Sequence, residues 1–153
     1  MNSNTHYLLD TDTCIYLLNG VTQVKAHVAA VGVETLAVAT VTQAELYFGA
    51  YNSARVDENL MRLEEFFLSP GPCILPLDKT AVKYFGEFKA RLRRAGQIIG
   101  DVDLFIAGIA ASHGLIVVTN NTSHFERISE ITVKNWHEPL PKSLDSDAQQ
   151  KNS

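Results

Sequence analysis

Short apolar runs alternate along this chain with longer stretches in which apolar residues recur every three or four positions. Tyr7-Leu8-Leu9, bounded by Asp10-Thr11-Asp12, has the length of a buried strand, and TCIYLLNG behind it reads as a helix with Asp12 or Thr13 as its cap. TQVKAHVAAVG predicts a second short helix, and TLAVAT, built around Leu36 and Val38, a second strand. Thr42 then opens the helical stretch QAELYFGAY. From Val56 to Ser69, the spacing of Leu60, Leu63, Phe66 and Phe67 marks one face of an amphipathic helix that SPGP ends. CILPL follows as a third strand, placed at a sheet edge by Pro76, which cannot donate to a ladder. Asp78 is suited to cap the long helix KTAVKYFGEFKARLRRA and Gly96 to stop it. A helix over GDVDLFIAGIAASHG, a strand LIVVT, a polar turn NNTSHFERIS and a last short strand ITVKNW complete the chain. Strands alternating with helices predict a parallel, doubly wound α/β sheet.

PLPKSLDSDAQQKNS lacks any apolar period, so we expect one domain over residues 1–138 and a disordered tail over 139–153. With 153 residues and 46% hydrophobic content, the chain suffices for one buried core and is too short for two ordinary domains. MNSNTH does not read as a secretory signal, and no stretch approaches the roughly 18 apolar residues of a membrane span, so the expectation is a soluble, cytoplasmic protein without a membrane partner. Cys14 and Cys73 show no metal-ligand spacing and read as reduced core residues.

The formal net charge of −4 disfavours attraction to polyanions through overall charge, so such a partner needs a local basic patch. Six of the thirteen Lys and Arg residues, Lys79, Lys83, Lys89, Arg91, Arg93 and Arg94, fall within sixteen positions. At 100° per residue, Ala81, Phe85, Phe88 and Leu92 share one face of that helix, and Lys79, Lys83, Lys89, Arg93 and Arg94 occupy the opposite arc. The arc reads either as a polyanion surface or as an ordinary solvated face.

Polar residues recur where a strand ends or a helix begins: Asp10, Glu45, Asp101 with Asp103, and Asn120 with Asn121. Each has a plain explanation. Thr42-x-x-Glu45 is a capping box on paper, Asp101 an N-cap candidate, Asp103 a first-turn charge that favours the helix dipole, and the two Asn residues suit a turn. The conjunction points elsewhere, because strand ends in a parallel sheet share one edge and would gather these groups in one cleft. Carboxylates crowded there repel one another, and a divalent cation relieves the repulsion. Hard oxygen ligands without a His or Cys cluster suit Mg²⁺ or Mn²⁺ rather than Zn²⁺, and such a metal activates water for phosphoester hydrolysis. Of the five histidines, only His124 falls near this cleft, and it reads as structural.

YLLDTDTCIYLL, TQAELYFGA, IGDVDLFIAGIAASHGLIVVTNNTSHFERI and ITVKNW together resemble PIN-domain ribonucleases, and among them the VapC toxins of bacterial toxin–antitoxin pairs. The likeness runs in order from about Tyr7 to Trp136, and the late block from Asp103 to FERI is its most specific part. It implies a three-layer α/β/α fold with a central, mainly parallel sheet and a Mg²⁺- or Mn²⁺-dependent endoribonuclease. By position, Asp10, Glu45 and Asp103 match the family's acidic triad and would hold the metal, while Asn120 and Asn121 occupy the place of a further acidic position, so that Asn121 joins the catalytic group. Asp101 stands where such relatives often carry Pro. The resemblance also implies a homodimer, a cognate antitoxin that occludes the cleft, and structured RNA such as tRNA as substrate, with Lys83, Lys89 and Arg93 as candidate RNA-binding residues.

Two other readings compete. Asp10-x-Asp12 after an apolar strand looks like the opening motif of haloacid-dehalogenase-type phosphatases, with Asp10 as nucleophile. The Asp spacing of GDVD is too short for their late motif, however, Cys14 sits where they prefer Thr or Val, and Glu45 is left unused. An interaction module with a degenerate site is the other reading, and the presence of every triad carboxylate speaks against it.

Overall fold

A computed structural model describes residues 1–141, so the tail expected over 139–153 lies, from residue 142 onward, outside the described residues. Five parallel strands form one sheet in the order β3-β2-β1-β4-β5: β1 (Tyr7–Leu9), β2 (Leu36–Ala39), β3 (Cys73–Leu75), β4 (Ile116–Val118) and β5 (Thr132–Lys134). The alternation of strands and helices predicted a parallel sheet, and every pairing observed is parallel. β3 is an edge strand, as Pro76 directly after it required.

Side-chain alternation divides the core. Leu8, Ala37 and Val117, aligned by register, face a layer made by α5 (Lys79–Arg94) and α6 (Asp101–His113). Leu9, Val38 and Val118 face the other way, toward α1 (Thr11–Leu18), α3 (Thr40–Tyr51) and α4 (Val56–Phe67), with α2 (Thr22–Val31) at the margin. Because β1 is covered on both sides, its run is apolar throughout rather than alternating. The result is the three-layer α/β/α arrangement.

The α5–α6 hairpin sets the position of one site residue. Asp78 caps α5 by accepting from the Ala81 N–H at 2.8 Å. At the other end, Gly96 (φ +69°) closes a Schellman turn in which Gln97 N–H reaches Leu92 O at 2.8 Å and Gly96 N–H reaches Arg93 O at 3.1 Å. α6 then packs so tightly on α5 that a Cβ on Gly108 would stand 2.6 Å from the Ala81 carbonyl oxygen. His113 Nε2 lies 3.4 Å from Asp78 at one end of the pair and Lys89 Nζ 2.9 Å from Asp101 at the other. α5 and α6 therefore run antiparallel, with the basic end of α5 beside the start of α6.

Three helix starts differ from the sequence expectation. Asp10 itself, not Asp12 or Thr13, caps α1. Helix α3 begins at Thr40 with Ala39 as its cap, which puts Thr42 at the third helical position and rules out a Thr42–Glu45 capping box. Gly100 is the residue before α6, so Asp101 is its first residue rather than its cap. At α3 the apolar strand β2 runs directly into the helix, so the strand's end decides where the helix begins, whereas Asp10 separates β1 from α1 and a short loop from α5 precedes α6. The polar turn after β4 also contains a one-turn helix, α7 (Thr122–Phe125), anchored by fully buried Phe125.

Candidate functional site

From β1 the chain steps outward to β2 and β3, then returns to the other side of β1 as β4 and β5. The reversal lies between β1 and β4, and the crevice outside their C-terminal ends is where a doubly wound sheet accommodates ligands. Asp10 follows β1 directly, and Thr119, Asn120 and Asn121 follow β4.

Asp10 is 3% exposed. Its Oδ1 accepts the Thr13 N–H at 2.8 Å, and its own N–H donates to Val118 O at 3.0 Å, tying it to both central strands. The Thr13 hydroxyl reinforces this by donating to Val118 O at 3.1 Å. Burial holds the Asp10 carboxyl above the usual carboxylate range, the Thr119 and Thr13 groups draw it back, and Asp12 adds a smaller upward push. One Asp10 oxygen thus caps the helix while the buried carboxyl stands at the crevice.

Asp103 is half-buried in the first turn of α6. Burial raises its carboxyl as well; His124 lowers it, and the charges of Asp12 and Glu45 raise it further. Asp12 and Glu45, both exposed, therefore share an electrostatic field with Asp103 although they start from different helices. The fold brings Asp10, Glu45 and Asp103 to one edge, and Asp12, which the strand-end reasoning did not include, joins them.

The turn after β4 forms the remaining wall. Asn121 N–H donates to Thr119 Oγ1 at 2.9 Å, and its side-chain Nδ2 lies 2.6 Å from His124 Nδ1. His124 Nδ1 is also 3.7 Å from Asp103 Oδ2, close enough for ionic attraction when the ring is protonated but too long for a hydrogen bond. Asn120 points to a different partner, accepting from Asn135 Nδ2 at 3.2 Å. His124, read from sequence as structural, thus belongs to the site, and Asp12, read as a cap, contributes charge to it. The spacing Asn121-x-x-His124 at a strand end was the available signal for the first, and the Asp10-x-Asp12 pair for the second.

Carboxylates that raise one another, Asp12 on both Asp10 and Asp103 and Glu45 on Asp103, offer hard oxygen donors that fit a divalent cation. Among the described residues, the hydroxyls of Thr11 and Thr42, near the starts of α1 and α3, are buried without a partner. Among the described residues, no three His, Cys, Asp or Glu side chains are gathered tightly enough to enclose an ion by themselves. A cation here would keep much of its water, which is the habit of Mg²⁺.

Two surfaces adjoin the site. The basic end of α5 lines a shallow hollow at Gly86, Lys89, Ala90, Arg93 and Arg94, and Lys89 is paired to Asp101, two residues before Asp103. Arg93 is exposed, whereas Lys83 sits about 15 Å farther along the helix axis, at the rise of 1.5 Å per residue. On the opposite flank, a largely apolar groove of about 230 Å³ opens beside Glu45 between α1, α3 and α4, with Arg62 donating to the Leu18 carbonyl across it. No helix among the described residues is long and apolar enough to cross a membrane.

The sequence pattern of the PIN domain family matches residues 7–131. The chain is 34% identical over 130 residues to the tRNA(fMet)-specific endonuclease VapC of Salmonella typhimurium, covering 85% of this chain and 97% of that one. It is likewise 34% identical to ribonuclease VapC2 of Haemophilus influenzae, with the same coverage. Among solved structures, DNA-bound VapBC from Salmonella typhimurium superposes with a TM-score of 0.80 at 33% identity, over 86% of this chain and 98% of that one. VapBC2 from Rickettsia felis, bound to a promoter DNA fragment, gives 0.79 at 28% identity, over 86% and 99%.

Proposed function

Since the chain belongs to the PIN domain family and, within it, to the VapC ribonucleases, we propose that it is an endoribonuclease toxin whose hydrolysis of RNA requires Mg²⁺ or Mn²⁺ held by Asp10, Glu45 and Asp103. The observation that carries the metal is the shared field at the switch point: a buried Asp10, and an Asp103 that feels both Asp12 and Glu45. When bound, the cation supplies charge for the phosphoryl oxygens and a more acidic water. Asp10 is held rigidly by Thr13 and the central strands, so its carboxylate is placed without reorganisation. Asn121 braces the wall of the cleft, and the basic end of α5, chiefly Lys89 and Arg93 with Lys83 more remote, holds the RNA backbone.

The substrate class we propose is structured RNA, with tRNA first, on the strength of the relative named as a tRNA(fMet)-specific endonuclease. A cognate antitoxin is the proposed partner, because the similar solved structures are VapBC complexes. The apolar groove beside Glu45 is where an antitoxin segment would close the cleft. Exposed Phe48 and Tyr51 on α3 and Met61 on α4 offer a surface for a second copy in a cytoplasmic homodimer.

The test is cleavage of purified tRNA with Mg²⁺ or Mn²⁺, with chelator, and beside p-nitrophenyl phosphate turnover. RNA cleavage abolished by chelator supports the proposal. Turnover of the phosphomonoester with intact RNA would favour the phosphatase reading, in which Asp10 is a nucleophile and Glu45 has no part.

A further inference from the structure

We propose that His124 contacts the substrate, donating its Nε2–H to a non-bridging oxygen of the phosphodiester being cut, and that Asn121 is the positioning residue that fixes the ring's tautomer. This rests on the nuclease reading above and adds a residue to that site.

The geometry begins with the short contact between Asn121 Nδ2 and His124 Nδ1, 2.6 Å. An amide nitrogen donates and has no lone pair to accept with, so Nδ1 is the acceptor. A neutral imidazole whose Nδ1 accepts carries its proton on Nε2. Asn121 is itself anchored, its N–H on Thr119 Oγ1 at 2.9 Å, and Thr119 is fully buried beside Asp10. The ring is therefore oriented through a chain of contacts that starts at the most buried carboxylate of the site. Asp103 Oδ2, at 3.7 Å from the same Nδ1, is too far to hydrogen-bond and by its charge opposes this tautomer, so the Asn121 amide is the group that sets it. Nε2 has no hydrogen-bond partner among the described residues, and the side chain is 36% exposed. A donor without a protein partner among the described residues thus stands on a ring held against Asn121 and Asp103.

The chemistry gives that donor a purpose. A phosphodiester carries one negative charge, and the cleft it must enter is lined by Asp10, Asp12, Glu45 and Asp103. A neutral N–H on the wall offsets part of the repulsion, and it gains strength as charge builds on the non-bridging oxygens during attack by water. The competing role for His124 is a brace, accepting from Asn121 to close the turn of α7.

Two conservative variants separate these roles, because Asn reproduces the position of Nδ1 and Gln that of Nε2. Single-turnover cleavage of purified tRNA is measured across a Mg²⁺ series for the parent, His124→Ala, His124→Gln and His124→Asn. We expect His124→Ala to slow cleavage about 100-fold, the lower end for removal of one preorganised donor, with an unchanged Mg²⁺ midpoint. His124→Gln should recover most of the rate and His124→Asn little. Full activity in the Ala variant, recovery by Asn instead of Gln, or an effect confined to the Mg²⁺ midpoint would each overturn the proposal. A second measurement needs no RNA: long-range ¹H–¹⁵N correlations of the ring at pH 8 should show the Nε2–H tautomer in the parent and lose that bias in Asn121→Ala. An Nδ1–H ring in the parent overturns the proposal while leaving the nuclease reading intact. A parent that cuts no RNA with either metal overturns both.

Discussion

Replacing Asp10 by Asn and by Ala separates the two tasks that this side chain combines. As the N-cap of α1 it needs only an acceptor for the Thr13 N–H, and Asn caps as well as Asp, so Asp10→Asn should cost no more than a few tenths of a kcal/mol on that account. It also removes a charge whose burial is unfavourable without metal, which pushes stability the other way. Asp10→Ala loses the cap and leaves a buried N–H unpaired, about 2 kcal/mol in all, or roughly 4 to 8 °C in melting temperature for a chain of this size. Metal reverses the ranking. At ten times its dissociation constant, Mg²⁺ should stabilise the parent by about 1.4 kcal/mol, roughly 3 to 6 °C, and neither variant should respond. Differential scanning calorimetry with and without Mg²⁺, paired with tRNA cleavage, reads all of this. We expect Asp10→Asn to melt at or above the metal-free parent while losing both the Mg²⁺ shift and cleavage. An Asn variant that keeps the parental Mg²⁺ shift and activity would reduce Asp10 to a helix cap and refute its role as a ligand.

The same burial sets a pH dependence: Asp10 and Asp103 hold protons more tightly folded than unfolded, so metal-free stability should be fully present below about pH 4 as far as these two groups contribute, and decline as pH rises through their raised folded values. Urea titrations from pH 4.5 to 7.5 check this, and a slope unchanged in Asp10→Asn/Asp103→Asn would show that other groups govern it. Glu45→Gln, with no cap to lose, should melt within about 1 kcal/mol of the parent yet lose most cleavage at limiting Mg²⁺; parental activity there removes Glu45 from the site. Lys89→Glu/Arg93→Glu should weaken RNA binding and flatten its dependence on salt more than Lys83→Glu, because the first pair adjoins the start of α6. Equal affinity and slope in a filter-binding assay would make the arc a solvated face. Gly108→Ala forces the new Cβ against the Ala81 carbonyl and should cost about 1 to 3 kcal/mol, lowering the melting temperature and cleavage together through displacement of α6.

Periodicity alone was enough to place the strands and the long helices, because those residues are buried by local pattern: YLL, LAVA and the face of Ala81, Phe88 and Leu92 are apolar wherever the neighbouring elements come from. It also assigned Asp10, at the end of β1, to the ligand-bearing edge of a parallel sheet, whereas Asp103 is brought to that edge by the α5–α6 hairpin. The local chemistry of the helix starts was not legible in the same way. Thr42-x-x-Glu45 has every feature of a capping box, but β2 runs on to Ala39 and α3 begins at Thr40, so Thr42 is carried past the cap position and buried. Asp12 and His124 were harder still. A charge acts through distance in space, and the 90 positions between Asp12 and Asp103 conceal a proximity that only the return of the chain across β1 creates. For His124 the sequence determined a histidine near a strand end; the orientation of its ring was decided by Asn121, Asp103 and the packing of α7, which are tertiary facts.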